Sequence, residues 1–93
     1  MLAKNPLDVD GLPSGLRDEE IARLGLIAEL DAINLYQQLA QVAGDSTLKK
    51  VLLDIAREEK THVGEFLAIL LRLDREQGKE LEEGKEEVDE LSG

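Results

Sequence analysis

The sequence predicts an all-α fold. Two helices form an antiparallel hairpin, a short helix follows, and two such chains pair into a four-helix bundle. Three observations lead there. Two long stretches keep apolar residues at helical spacing with no proline inside them. Gly44-Asp45-Ser46 separates them, a glycine that stops one helix and two residues that cap the next. Each stretch also carries more apolar surface than one partner helix covers. With 93 residues, 42% hydrophobic and 34% charged, the chain reads as one domain, and not as a disordered segment.

Residues 1–17 hold both prolines, Pro6 and Pro13, together with Gly11 and Gly15. They predict an irregular or extended lead-in. Asp18, Glu19 and Glu20 then open the first helix, expected over 18–43, because acidic side chains suit the positive end of a helix dipole. Gly25 is its one interior weak point. The second helix is expected over 47–75, with Arg72 and Arg75 near its negative end and Gly78 as its stop. Residues 79–91 are dense in Glu and Lys and broken by Gly84, which predicts a short acidic helix or a frayed tail.

The first helix carries Ile21, Leu24, Leu26, Ile27, Leu30, Ile33, Leu35, Leu39 and Val42. The second repeats the excess from Leu52 through Leu73. A hairpin buries one face of each helix, so the surplus predicts an oligomer whose smallest unit is a homodimer.

Charge narrows the partners. Asp and Glu number 21 against 11 Lys and Arg, a formal charge of -10. Nucleic acid and anionic membranes are disfavoured, and cations are favoured. The absence of cysteine removes disulfides, thiolate zinc sites, iron–sulfur clusters and cysteine nucleophiles. No apolar run approaches signal-peptide or membrane-span length. The expectation is a soluble protein inside the cell.

Polar residues interrupt the apolar stripes. At alternating steps of three and four, the second helix presents Leu52, Ile55, Glu59, His62, Phe66, Ile69 and Leu73. Glu59 and His62 share one face, and His62 is the sole histidine. The first helix presents Ala22, Leu26, Glu29, Ile33, Tyr36 and Ala40, with Glu29 alone among apolar neighbours. A carboxylate in a core-facing stripe is costly, and two close together cost more. A bound cation removes both penalties, and oxygen with imidazole nitrogen suits iron, manganese or zinc.

The di-iron site of ferritin-like bundles uses a Glu from each of two helices and a Glu-x-x-His pair from each of two others. This chain supplies one lone Glu and one Glu-x-x-His, half of that site. The bland alternatives stand beside it: a single Glu-x-x-His arises often by chance, and a lone Glu or His often borders a stripe. Tyr36 reads either as a boundary aromatic or as a hydrogen-bond or electron donor near a metal. Asp31, Glu58 and Glu65 read as solvated faces, or as a path drawing cations inward.

Ile27-Ala-Glu-Leu-Asp-Ala-Ile-Asn-Leu-Tyr36 with Ala56-Arg-Glu-Glu-Lys-Thr-His-Val63 resembles the encapsulated ferritins, and equally the ferritin-like domain fused to encapsulin shell proteins. The similarity spans roughly Leu24 to Leu81. It implies a ferritin-like four-helix bundle whose di-iron ferroxidase centre forms between two subunits. Glu29, Glu59 and His62 would be the iron ligands and Tyr36 a neighbour of the centre. It further implies a decamer of five dimers, in the cytoplasm inside an encapsulin nanocompartment, where oxidised iron is stored. Mn, Zn or Ca are expected to substitute in vitro. Some members carry an acid where this chain has Ala28 and a tryptophan where it has Leu35, which puts their auxiliary metal site in doubt here, although Asp31 is retained. A targeting tail or fused shell domain is expected of the family and does not follow Gly93, so the chain is a piece of a longer protein or is packaged by other means.

The leading expectation is thus a ferroxidase, an Fe(II):oxygen oxidoreductase serving iron storage and detoxification. The alternatives are a non-redox module in which Zn or Mn staples the helices, and a helical interaction protein in which Glu59 and His62 pair with each other or with lysine. A rubrerythrin-like peroxidase is disfavoured, since its rubredoxin domain needs cysteines.

Overall fold

The computed structural model describes residues 15–93. It contains three helices in order: α1 over Asp18–Val42, α2 over Ser46–Leu73 and α3 over Arg75–Ser92. No strand occurs among the described residues. The lead-in expected over 1–17 lies outside the description up to residue 14. Residues 15–17 are irregular, and Gly15 turns the chain with a φ of +86°, a conformation open to glycine.

α1 begins as its sequence suggests. Asp18, Glu19 and Glu20 occupy the first turn. The Glu20 carboxylate reaches back to accept the Arg17 backbone N–H at 3.5 Å, and the Arg17 side chain lies 3.0 Å from Glu19. After Val42 the Ala43 N–H closes the last turn onto the Leu39 carbonyl at 3.0 Å. Asp45 caps α2, its carboxylate accepting the Leu48 N–H at 2.8 Å, so α2 starts at Ser46.

The far end of α2 departs from expectation. The helix stops at Leu73, not at residue 75, and the break is Asp74 and not Gly78. The Asp74 N–H still donates to the Leu70 carbonyl at 2.8 Å, while its carboxylate accepts the Gln77 N–H at 3.1 Å. One residue thus ends α2 and caps α3. Gly78 and Gly84 lie inside α3, with no positive φ to mark either as a stop. The acidic segment is one continuous helix.

Gly25 lies against Phe66, Glu29 near His62, and Arg23 bonds Asp74. Rising positions on α1 therefore meet falling positions on α2, which makes the hairpin antiparallel. Among the described helices, α3 packs against α2 alone. The molecule is flat, 45 × 45 × 21 Å, with α3 leaving the hairpin at an elbow.

The interior is made of small groups. Its buried residues are Ala22, Gly25, Ala40, Ala56 and Leu70. The larger stripe residues Leu26, Ile33, Leu52, Ile55 and Phe66 are only half-buried, while Ile69 and Leu73 are exposed. Burial drives folding roughly in proportion to apolar area removed from water. An interior of this size offers little against the ordering entropy of three helices. The helices approach closely on their alanines and leave the bulky side chains facing outward.

Candidate metal centre

The middle of the hairpin brings Glu29, Glu59 and His62 together. Glu29 comes from α1, and Glu59 and His62 come from adjacent turns of α2. One donor atom from each lies within 4.8 Å of the others. The His62 Nδ1 stands 3.4 Å from the Glu29 Oε2 and 3.5 Å from the Glu59 Oε2. Both glutamate side chains are largely covered, at 19% and 18% exposed, whereas His62 is 43% exposed. The cluster is walled by protein on one side and open on the other.

These separations are informative. They exceed the 2.7–3.2 Å of a good N–H···O bond. The Glu29 Oε2 is buried and has no hydrogen-bond partner among the described residues. A buried acceptor left unpaired costs about 1–3 kcal/mol, more when charged, so the arrangement is unfavourable as it stands. Two donor atoms bound about 2.1 Å from one ion at tetrahedral or octahedral angles lie roughly 3.0–3.4 Å apart. The observed spacings suit three groups turned toward a common cation better than three groups bonding one another. Two oxygens and one nitrogen, with no sulfur, form a donor set that fits iron, manganese or zinc.

Tyr36 is not joined to the cluster within one chain. It follows Glu29 by seven residues, about 10 Å along the axis. It is half-buried, and its hydroxyl makes no hydrogen bond among the described residues. Asp31 is half-buried, Glu58 and Glu65 are exposed, and none of them belongs to the metal-competent group. A second carboxylate arrangement, at the elbow, was not legible in the sequence. The Arg23 Nη2 donates to the Asp74 Oδ2 at 2.7 Å across 51 positions. The Asp74 carboxyl is held below its ordinary range, first by the Gln77 backbone N–H and then by Arg23. An arginine on an exposed face carries no signal of its partner.

A lone Glu on one helix facing Glu-x-x-His on the next is the half-site of ferritin-like carboxylate bundles. The class is therefore ferritin-like, and the comparisons with known proteins agree. The EncFtn-like family model matches residues 6–85, and the chain belongs to that family. The ferritin-like–encapsulin shell fusion protein of Pyrococcus furiosus is 55% identical over 95 aligned positions, which cover 100% of this chain and 28% of that protein. The encapsulin nanocompartment cargo protein EncC of Myxococcus xanthus is 36% identical over 78 positions, covering 81% of this chain and 60% of that protein. This chain thus spans less than two thirds of either relative. The crystal structure of the encapsulated ferritin domain from Pyrococcus furiosus superimposes with a TM-score of 0.79 at 53% identity, over 98% of this chain and 95% of that one.

Proposed function

We propose that this chain is a ferroxidase domain whose catalytic centre is completed by a second copy of itself. The observation that carries the reading is the convergence of Glu29, Glu59 and His62 around a buried carboxylate oxygen that nothing among the described residues satisfies. The half-open cluster and the half-buried stripe residues beside it favour a partner on the same face. A mirror copy would bring four carboxylates and two imidazoles to two Fe(II) ions, its substrate.

Glu29 and Glu59 would then hold the irons with charge that offsets theirs. His62 supplies a neutral nitrogen donor to each. Each Fe(II) loses one electron, so a pair passes two electrons to dioxygen. Oxidation raises the charge on each ion by one. Carboxylates already fixed in a partly dry site stabilise that increase without reorganising. In this reading Glu29, Glu59 and His62 are the catalytic residues. Tyr36 is a neighbour of the centre.

The names of the relatives extend the reading to setting. One is fused to an encapsulin shell and another is encapsulin cargo. We place this chain with an encapsulin shell protein, inside a nanocompartment in the cytoplasm, as a decamer built from five dimers. The described helices contain none long and apolar enough to cross a membrane. The -10 charge favours cations over nucleic acid.

The test is Fe(II) oxidation in air, followed by Fe(III) absorbance and oxygen uptake. Glu29→Ala, Glu59→Ala and His62→Ala are each expected to abolish the rapid phase. Wild-type rates in all three would reject the assignment. A competing reading, a Zn or Mn staple without turnover, predicts metal-dependent assembly but no oxygen uptake with Fe(II).

A further inference from the structure

Gly25 sits inside α1, where glycine costs a helix roughly 1 kcal/mol relative to alanine. Its φ is not positive, so no turn explains it. The explanation lies on α2. A methyl group at position 25 would fall 2.7 Å from the Phe66 Cδ1 and Cζ and closer still to Cε1. The only phenylalanine in the chain is seated against bare backbone. Gly64, within α2, shows the contrast: a methyl there meets nothing within 4 Å.

The place of this contact matters more than its tightness. Gly25 precedes Glu29 by four residues, and Phe66 follows His62 by four. On antiparallel helices both steps run the same way, so the contact lies one turn, about 5.4 Å, from the cluster. Ordinary carbon contacts are about 3.5–4.0 Å. A methyl at position 25 therefore forces a displacement of order 1 Å, or a turned-out ring. Where the half-buried ring holds its place the helices part and the displacement reaches the ligands, and where the ring turns outward it does not. A ligand set tolerates only about 0.5 Å.

We propose that the Gly25–Phe66 contact is the spacer that fixes the width of the Glu29, Glu59 and His62 site, and so the size of cation it prefers. The inference rests on the metal reading above and adds two positioning residues, neither able to ligate. Alanine at position 25 holds the helices apart. Leucine at position 66 withdraws the ring and lets them close again.

The experiment titrates wild type, Gly25→Ala, Phe66→Leu and the double variant with Co(II), whose visible bands report ligand number and geometry, and with the larger Mn(II). Gly25→Ala is expected to weaken Co(II) binding about tenfold or more, change the band intensities and lose less affinity for Mn(II). Phe66→Leu alone is expected to let the site close, shifting the Co(II) bands and disfavouring the larger Mn(II), the opposite of Gly25→Ala, and the double variant regains both spectrum and affinity. Wild-type affinity and spectrum in Gly25→Ala would overturn the spacer. So would a loss that Phe66→Leu fails to restore. Should Gly25→Ala not fold, a folded double variant with the wild-type spectrum supports the spacer, and a folded one without it overturns it. A wild type that takes up neither ion refutes the metal reading itself, together with the spacer, in the first titration.

Discussion

Two carboxylates lie between the arms of this hairpin, and they have opposite fates. At the elbow, Asp74 accepts from Arg23 at 2.7 Å and from the Gln77 N–H at 3.1 Å. In the middle, Glu29 buries an oxygen that accepts nothing from the described residues, with the imidazole nitrogen at 3.4 Å. A satisfied carboxylate is a fastener. An unsatisfied, buried one is a vacancy of charge that the fold tolerates only if something else fills it. The contrast separates an acid that fastens the fold from one that is left to bind something else under the proposed function.

The largest expected effect tests that separation directly. Glu29→Gln keeps the shape and removes the charge. It should slow Fe(II) oxidation about 100-fold or more and leave the melting temperature of the metal-free protein equal or higher. Asp74→Asn should do the reverse, melting earlier while keeping its oxidation rate. A Glu29→Gln protein with wild-type turnover would erase the distinction.

Metal binding should stabilise by mass action. At a free ion concentration 100 times Kd the gain is about 2.7 kcal/mol, read as a rise in melting temperature that a chelator reverses. Asp74→Asn should show the same gain, and Glu29→Gln should lose it. Chelation is also expected to lower the native mass toward the single chain.

A smaller effect concerns acid. The Asp74 carboxyl is depressed below its ordinary 3.8 in the folded chain. Its contribution is therefore complete above that ordinary value and is lost as pH falls through the lower folded one. Asp74→Asn should remove this component of the acid transition. Arg23→Ala should only reduce it, because the Gln77 N–H is the stronger cause. Smallest of all, Lys85→Ala breaks a 4.0 Å pair on the open surface of α3 and should not shift the melting temperature measurably.

Much of this was written locally. Periodicity placed α1 and α2, and Asp45 announced the start of α2 because a cap acts three residues away. Glu29, Glu59 and His62 were visible because a charged residue inside an apolar stripe contradicts its own surroundings. The elbow was not visible. Leu73-Asp74-Arg75 has neither glycine nor proline, Asp74 as a cap three residues before Gln77 was the one local signal, and its ion pair with Arg23, 51 residues earlier, leaves no mark in the sequence. Gly78 looked like a stop but keeps helical geometry, because Asp74 had already reset the chain four residues earlier. Gly25 looked like a flaw in α1, and only the position of the Phe66 ring turns it into a fitted surface.

The alanine-lined interior carries a consequence for abundance. If the copies pair as proposed, helices that close on methyl groups draw cohesion from neighbours, and their order depends on how many copies share a volume. Diluted chains would lose shape and chemistry together, and crowded ones would acquire both. Under the proposed function, confinement would then act as the switch, turning iron oxidation on where the chains are gathered and leaving it off among stragglers.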